Sequence, residues 1–371
     1  MHKPLTLTAM IIAGLSAFMP ATAHNRDPGD RGDFESAKPL TVAVFGDWPY
    51  NQNLLDNAPL LIKSVNSDHD VGYVIHVGDI HSGKMACTSA GILPPIATSN
   101  PGWDQAVYHQ FQQFNAPLIY TPGDNEWTDC HKSKELSAGD PLKELASVRS
   151  LFFARPGHAL GINDTEVLTQ AKAFDPAYPS DAQFVENVMW EKSRVVFVTV
   201  NLPGSNNDTV PWSGSFSNPA AQDQEVAERS GADIRWLQAA FKRAEKDHAK
   251  GVVIAVQADM WDPEAVAANE LGAYTPFVRQ LAYLSVQFGR PVLLLNGDSH
   301  VYEADHPLAD PTSATGVIYG SQPVPNLARV TVQGSTNAPA EWLRLTIDPR
   351  DPNLFSWTNV PYCADPNGSC Q

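Results

Sequence analysis

Four short apolar stretches of this chain each run into a Gly-Asp pair, and these pairs contain Asp47, Asp79, Asp124 and Asp298. Each stretch is typical of a buried β-strand, and the glycine allows the sharp turn that presents the following carboxylate. A single Gly-Asp pair also forms ordinary turns, so one pair alone carries little weight. Four of them indicate one site beyond the carboxyl ends of several strands, where open α/β sheets bind ligands.

The chemistry that such a site favours is cation binding. Carboxylates that are brought together without a cation must take up protons or repel one another. Divalent metal ions relieve this repulsion, and two ions about 3.5–4 Å apart commonly hydrolyse phosphate esters. We expect His300, two residues after Asp298, to join the carboxylates, and Asp79 to bridge both ions.

The order of these motifs resembles that of the calcineurin-like metallophosphoesterases, which include the purple acid phosphatases. The resemblance covers residues 41–306 and rests on strand-Asp, strand-Gly-Asp, Gly-Asp-Asn-Glu and Gly-Asp-Ser-His in this order. It implies a four-layer α/β/β/α sandwich with a two-metal centre at the strand ends. Position by position, the metal ligands that it implies are Asp47, Asp79, Asp124, Gln257, Asp298 and His300.

The same resemblance implies residues that assist catalysis. Asn125 stands where the family has the histidine that assists the leaving group, and Glu126 stands where an acidic residue supports that histidine. Asparagine cannot donate a proton as an imidazolium does. Acid catalysis would therefore fall to His81, Glu126, His131 or water.

Three metal-binding histidines of the family pattern are replaced in this chain, by Pro49, Gln257 and Asp298. Pro49 removes a ligand of the first metal ion unless His81 or water takes its place. The remaining ligands are mostly oxygen donors, which suit Mg²⁺, Mn²⁺ or Ca²⁺ better than Zn²⁺. The identity of the two divalent or mixed-valence ions among Mn, Mg, Ca, Fe and Zn therefore stays open.

These motifs predict an exported metal-dependent phosphoesterase that hydrolyses a phosphate mono- or diester through a metal-activated water. The replaced histidines favour a second hypothesis, a catalytically inactive secreted binding protein on the same scaffold. A serine hydrolase is disfavoured, because the chain contains no G-x-S-x-G nucleophile elbow.

The N-terminus is typical of a secretory signal. Lys3 supplies the positive charge, residues 5–19 the apolar run and residues 21–23 an A-x-A cleavage site. We therefore predict a signal peptide over 1–23, a flexible leader over 24–39 and one domain over 40–371. No later run approaches the length of a transmembrane helix, so we expect no membrane anchor.

Four cysteines fit an oxidising compartment, either secreted or periplasmic. We favour the pairs Cys87–Cys130 and Cys363–Cys370, although the sequence alone permits three connectivities. Cys87 and Cys130 each follow a Gly-Asp strand end, and the other two cysteines lie close together in a Pro/Gly/Asn-rich tail. Thiolate metal ligation is the competing interpretation, but no C-x-x-C spacing supports it.

The formal net charge is −16. Such a surface repels a nucleic-acid backbone, so we expect a small-molecule or nucleotide-like phosphate ester as partner and no nucleic-acid polymer. A phosphate substrate would need a local cation in order to enter. The oligomeric state is left open.

The pattern of elements predicts an α/β domain. Strand and helix signals alternate as far as residue 295, and three further strands near 328–332, 343–347 and 354–357 are expected to close the chain as a meander. His76, inside a strand, is expected to be a packed core histidine. The aromatic residues beyond the strand ends, Tyr50 among them, are expected to pack beneath the loops, and stacking on a nucleoside or sugar is the alternative.

Overall fold

Two β-sheets form the framework of the fold. The computed structural model describes residues 38–87, 102–135 and 139–370, so the predicted signal peptide and nearly all of the predicted leader lie outside the described residues. The strands are β1 (Leu40–Phe45), β2 (Val71–His76), β3 (Leu118–Tyr120), β4 (Leu168–Thr169), β5 (Val188–Lys192), β6 (Val195–Thr199), β7 (Gly251–Ala255), β8 (Val292–Asn296), β9 (Glu303–Asp305), β10 (Leu327–Thr331), β11 (Ala340–Ile347) and β12 (Phe355–Cys363).

Helices connect most of these strands. They are α1 (Gln52–Asp56), α2 (Ala58–Ser67), α3 (Trp103–Phe111), α4 (Pro141–Phe152), α5 (Gln170–Ala173), α6 (Gly204–Asp208), α7 (Pro219–Lys246), α8 (Pro263–Ala268), α9 (Thr275–Phe288) and α10 (Gly316–Tyr319). Short 3-10 helices lie at Thr128–His131, Ser133–Glu135, Pro179–Gln183, Gly214–Phe216 and Gly272–Tyr274. Pro141, Pro219 and Pro263 open their helices, where the missing N–H has no intrahelical partner to lose.

The strand order separates the chain into a five-stranded sheet, β12-β11-β1-β2-β3, and a seven-stranded sheet, β4-β5-β6-β7-β8-β10-β9. In the first sheet β1, β2 and β3 are parallel, and in the second β6, β7, β8 and β10 are parallel. The antiparallel strands lie towards the edges. The predicted α/β class is confirmed, with two mixed sheets.

The predicted C-terminal meander is wrong. β10 pairs with β8 and β9 in the second sheet, whereas β11 crosses to the first sheet and pairs with β1 and β12. Each of these strands carries an apolar pattern, but that pattern does not say which sheet offers the open edge. By joining β1, β11 satisfies backbone groups that would otherwise form an exposed strand edge.

The central strand β1 is buried on both faces, and its alternating side chains enter different cores. Val42 and Val44 pack with residues of the second sheet such as Val253, while Ala43 and Phe45 pack with helices α2, α3 and α4. Since successive side chains of a strand point to opposite faces, one apolar run serves both cores. A third core joins the second sheet to α7 and α9.

Both favoured disulfides, Cys87–Cys130 and Cys363–Cys370, are present and confirm the predicted pairing. The first closes a loop between residues 43 positions apart, and its cysteines flank the loops that follow β2 and β3. None of the described helices is long and apolar enough to cross a membrane.

Candidate metal centre

The predicted site residues lie where parallel strands end. Asp47 follows β1, Asp79 follows β2, Asp298 follows β8, and His300 lies two residues further on. All four have positive φ angles, of 48°, 59°, 76° and 64°. Left-handed backbone at residues other than glycine is unfavourable and concentrates at functional sites, where the surrounding structure enforces it.

Close backbone approach explains two of the glycines in these turns. A Cβ atom on Gly123 would lie 2.0 Å from Asp79 Oδ1, and one on Gly78 would lie 2.6 Å from Gln257 Cγ. Gly78 also has a φ of 99°. The loops after β2, β3 and β7 therefore converge only because these positions carry no side chain.

The first group of converging side chains consists of Asp47, Asp79 and His300. Ligand atoms of these three residues all lie within 4.8 Å of one another. His300 Nε2 is 3.3 Å from Asp47 Oδ1, and the two aspartates are buried. The backbone N–H of Asp298 donates to Asp47 Oδ1 at 3.2 Å, which ties the end of β8 to the end of β1.

Tyr50 lies at the centre of this group. Its hydroxyl donates to Asp79 Oδ2 at 2.8 Å and lies 3.2 Å from Asp47 Oδ1 and 3.1 Å from His300 Nε2. The sequence-based expectation that Tyr50 packs beneath a loop therefore missed a functional candidate. The available signal was its position three residues after Asp47, in the turn that contains Pro49.

Asn125 orients the same carboxylate from the loop after β3. Its side-chain Nδ2 donates to Asp79 Oδ2 at 2.9 Å, to the Tyr50 hydroxyl at 3.1 Å and to the His81 carbonyl at 3.1 Å. An amide that contacts both Asp79 and Tyr50 fixes their relative orientation. Asn125 is thus inside the site, as a hydrogen-bond donor.

Glu126 and the histidines proposed as acids are placed differently. Glu126 Oε1 accepts from Tyr120 Oη at 2.7 Å and from the Gly123 N–H at 3.0 Å, so it braces the loops. The His81 ring is buried, with Nδ1 3.2 Å from the Ser82 carbonyl and no hydrogen-bond partner at Nε2. The His131 ring contacts Ser213. None of these contacts reaches the first group, and the catalytic roles of these residues stay predictions.

His76, by contrast, behaves as the core residue that its position in β2 predicted. It is fully buried, its Nε2 lies 3.0 Å from the Trp48 carbonyl, and its Nδ1 accepts from the Gly78 N–H at 3.2 Å. Burial lowers the pKa of His76 to about 4, so the ring is neutral at physiological pH.

The second group of predicted ligands, Asp124, Gln257 and Asp298, surrounds the backbone of Gly204. Gln257 Nε2 donates to Asp124 Oδ1 at 3.1 Å, and Gln257 Oε1 accepts from the Gly204 N–H at 2.5 Å. A Cβ on Gly204 would lie 2.8 Å from both Asp124 Oδ2 and Asp298 Oδ1. The side chains converge as the motifs suggest, but hydrogen bonds occupy the Gln257 amide. Their role as metal ligands stays a prediction.

A left-handed turn holds Gly204 in this place. Residues 205–208 all have φ between 52° and 60°, a conformation that L-residues avoid. Ser205 Oγ donates to Asp124 Oδ2 at 2.9 Å, and buried Arg229 holds the carbonyl of Asn207 through Nη2 at 3.2 Å. The run Ser-Asn-Asn-Asp suits this conformation, because Asn and Asp tolerate it best among residues other than glycine.

Burial sets the electrostatics of the cluster. It raises the pKa of Asp79 and of Asp298 well above the ordinary range, and the nearby Asp124 charge adds to both effects. Burial also raises the pKa of Asp124, to about 6. At His300 burial lowers the pKa, but the hydrogen bond and charge of Asp47 outweigh it and leave that pKa above its usual value. The site therefore favours positive charge.

The first group fits a divalent cation. It offers two carboxylates, an imidazole nitrogen and a phenol oxygen in one small volume, and Asp47 Oδ2 is buried without a hydrogen-bond partner. A buried carboxylate oxygen in that state costs free energy unless an ion or a donor satisfies it. In the part of the chain that the structure describes, no other group of three His, Cys, Asp or Glu side chains gathers ligand atoms this closely.

Comparisons with known proteins give no family assignment. No family model matches the chain, and no curated protein matches it. Among solved structures, the chain is similar to GAP50, the anchor in the inner membrane complex of Plasmodium, with a TM-score of 0.42, 10% identity and coverage of 88% of this chain and 90% of that one. It is also similar to the phosphopantetheinyl hydrolase PptH from Mycobacterium tuberculosis, with a TM-score of 0.35, 11% identity and coverage of 80% and 91%. Similarities at this level support no conclusion on activity.

Proposed function

We propose that this protein is an exported metal-dependent phosphoesterase that cleaves a phosphate ester. One observation carries the proposal: Asp47, Asp79 and His300 come from separate strand ends and meet, largely buried, around the Tyr50 hydroxyl. Buried carboxylates of like charge on left-handed backbone are unfavourable, and such arrangements concentrate at functional sites. A cation relieves their repulsion.

The proposed scaffold is the four-layer α/β/β/α sandwich. Three apolar cores support it: one between α2–α4 and the first sheet, one between the sheets, and one between the second sheet and α7 with α9. In this arrangement the carboxyl ends of parallel strands from both sheets share one rim. Ligand sites of α/β proteins form at such rims.

The first group would hold the metal ion, with Asp47, Asp79, His300 and the Tyr50 oxygen as its donors. When bound, such an ion lowers the pKa of a coordinated water and offsets charge on a phosphoryl group. The chain's own contribution is positioning. The Asn125 amide holds Asp79 and Tyr50 in register and, as a neutral donor, could also stabilise a phosphoryl oxygen.

A second ion would be held by Asp79, Asp124 and Asp298. This requires Gln257 to release Gly204 or to remain outside the ligand set, since its amide oxygen now accepts the Gly204 N–H. Carboxylate donors at this position favour Mg²⁺, Mn²⁺ or Ca²⁺.

Export is proposed from two independent features. The chain begins with a predicted signal peptide, and both disulfides join cysteines whose side chains pack within the fold. Disulfides persist mainly in secreted and periplasmic compartments.

The alternative is a catalytically inactive binding protein on the same scaffold. The observation that favours it is that Gly204 and Gln257 occupy the space between the ligands of the second group. Only the first group then remains as a candidate ion site among the predicted ligands. Such a protein would bind one cation and a ligand without cleaving it.

Metal reconstitution separates the two. Protein stripped with EDTA is resupplied singly with Mn²⁺, Mg²⁺, Ca²⁺, Zn²⁺ or iron, and hydrolysis of para-nitrophenyl phosphate and of its bis-ester is followed. We expect at least one metal to restore turnover, with one or two ions per chain by elemental analysis. A folded protein that turns over neither ester with any of these metals would rule out the enzyme and favour the binding protein.

A further inference from the structure

Two lysines lie beside the candidate metal centre in a chain with a formal net charge of −16. Lys132 and Lys134 follow the 3-10 helix Thr128–His131 and both contact the buried Asp129, at 2.5 Å and 2.9 Å. Burial raises the pKa of Asp129, but the two lysines outweigh it and leave that pKa below its ordinary value. Asp129 is thus an ionised anchor for two ammonium groups.

Both ammonium groups border the site itself. Lys132 Nζ donates to Ser205 Oγ at 2.7 Å, and that hydroxyl lies 2.6 Å from Asp129 Oδ1 and 2.9 Å from Asp124 Oδ2. On the other side, a Cβ on Gly83 would lie 3.0 Å from Lys134 Nζ and 2.6 Å from Asn125 Oδ1, so Lys134 and Asn125 line the same space.

The lysines are also accessible. The Lys132 side chain is 21% exposed and the Lys134 side chain 49% exposed, whereas Asp129 is 1% exposed. The buried arginines near the site differ in this respect. Arg229 and Arg329 are fully buried, and each contacts at least two carboxylates. An anion that approaches from solvent therefore meets the lysines and not the arginines.

We infer that Lys132 and Lys134 form the anion-binding rim of the site and select a phosphate monoester dianion over a diester monoanion as substrate. The inference rests on the proposed phosphoesterase function and specifies its substrate class. Coulomb energy scales with the product of the charges, so a dianion gains about twice as much from each ammonium as a monoanion. A phosphate monoester carries its second charge above about pH 6.

The test compares Lys134→Gln with the wild-type protein, because Lys134 is half exposed and Lys132 still pairs with Asp129 after the replacement. On Mn²⁺-loaded protein at pH 8, we expect calorimetry to show about tenfold weaker binding of inorganic phosphate. We expect kcat/KM for para-nitrophenyl phosphate to fall about tenfold and that for the bis-ester by less than about threefold. Lys134→Arg should stay close to wild type, since it retains the charge.

Lys143→Gln is the matched control. Lys143 is exposed and pairs with Asp140 at 4.0 Å, so its replacement changes the net charge equally without removing a contact to Asp129. Lys132→Gln serves as a second variant, and circular dichroism verifies the folding of both variants, because both ammonium groups contact the buried Asp129.

The outcomes separate this inference from the proposed function. Hydrolysis by the wild type with equal losses for both esters, or with no loss, in Lys134→Gln overturns the substrate selection and leaves the phosphoesterase intact. If phosphate binding depends on Lys134 but the protein hydrolyses neither ester, the anion-binding rim is supported and the proposed phosphoesterase activity is contradicted. If the metal-loaded wild type does not bind phosphate, the proposal that Lys132 and Lys134 form an anion-binding rim is wrong.

Discussion

Two buried acidic clusters lie close together in this protein and neutralise their charge in different ways. The arginine cluster contains Asp208, Glu225 and Asp233 around Arg229. The strand-end cluster contains Asp47, Asp79, Asp124 and Asp298, with His300 paired to Asp47. Both clusters take several carboxylates out of water, which is unfavourable unless a cation or protons compensate.

The arginine cluster is neutral on its own. Arg229 binds both Glu225 oxygens, at 2.6 Å and 3.0 Å, and stacks over the Trp127 ring at 5.4 Å. Burial raises the pKa of Asp208 to about 9 and that of Asp233 to about 8, so both are protonated near neutral pH. One arginine then balances one glutamate, and the cluster can serve as a rigid support for the left-handed turn.

The strand-end cluster has only an imidazole in the corresponding place, at 3.3 Å from Asp47. Its carboxylate oxygens and imidazole nitrogen converge on a small volume. The carboxylates of the arginine cluster, by contrast, surround the Arg229 guanidinium. The comparison teaches that a buried acidic cluster indicates a metal site when the chain does not supply the cation itself. Four variants test this distinction.

Loss of the internal cation should have the largest effect. Arg229→Met leaves Glu225 buried and unpaired, so the free energy of unfolding should fall by about 3–5 kcal/mol. Urea unfolding measures this. Arg350→Met, which removes an exposed pair with Asp348, is the control and should change the free energy of unfolding far less, because solvent screens that pair. Equal losses in the two variants would mean that Arg229 does not neutralise its cluster.

Loss of a carboxylate from the strand-end cluster should reduce activity and should not reduce the stability of the metal-free protein. Asp79→Asn should lower metal-dependent hydrolysis by at least about 100-fold, because it removes a central donor. Stability of the metal-free protein should stay unchanged or rise, since like charges repel less. Denaturation with and without Mn²⁺ should show the metal-induced gain of the wild type and no gain in the variant. A gain that persists in Asp79→Asn would place the ion elsewhere.

The pH dependence of stability should report the arginine cluster. The folded pKa of Asp233, about 8, lies above that of the unfolded chain, so the folded state holds the proton more tightly. The corresponding stability is fully present below about pH 4 and is lost as the pH rises to about 8. Asp233→Asn keeps the acceptor for Asn187 but cannot titrate. Its stability should therefore decline less than that of the wild type over this window, and identical curves for variant and wild type would contradict the assignment.

The smallest effect is expected at Tyr50. Tyr50→Phe removes the hydroxyl between Asp79 and His300, and metal affinity should weaken about tenfold, because the neutral phenol is the weakest of the four proposed donors. Tyr274→Phe is the matched control. Tyr274 is also a buried tyrosine, and its hydroxyl donates to the Pro203 carbonyl, so its loss should change stability without changing the affinity of the first group for metal. Titration of metal-free protein with Mn²⁺ distinguishes them, and an unchanged affinity in Tyr50→Phe would exclude the phenol from the metal's surroundings.

Much of the framework was predictable from local signals. The apolar runs before Asp47, Asp79 and Asp298 are strands because their neighbours on both faces are buried, and the glycines before these aspartates mark the turns. The disulfide pairs followed from compartment and loop position. The site's first group was therefore named in advance, with the exception of Tyr50.

The amino-acid sequence by itself determined which segments are strands, where they end, and that carboxylates stand at those ends, since these features depend on residues near one another in the chain. Tertiary structure alone decided that β11 leaves β10 for the other sheet and that Tyr50 reaches Asp79 and His300. It alone also inserted Gly204 between Asp124 and Asp298. These outcomes depend on packing between segments far apart in sequence, and no local periodicity encodes which distant partner fills a given space.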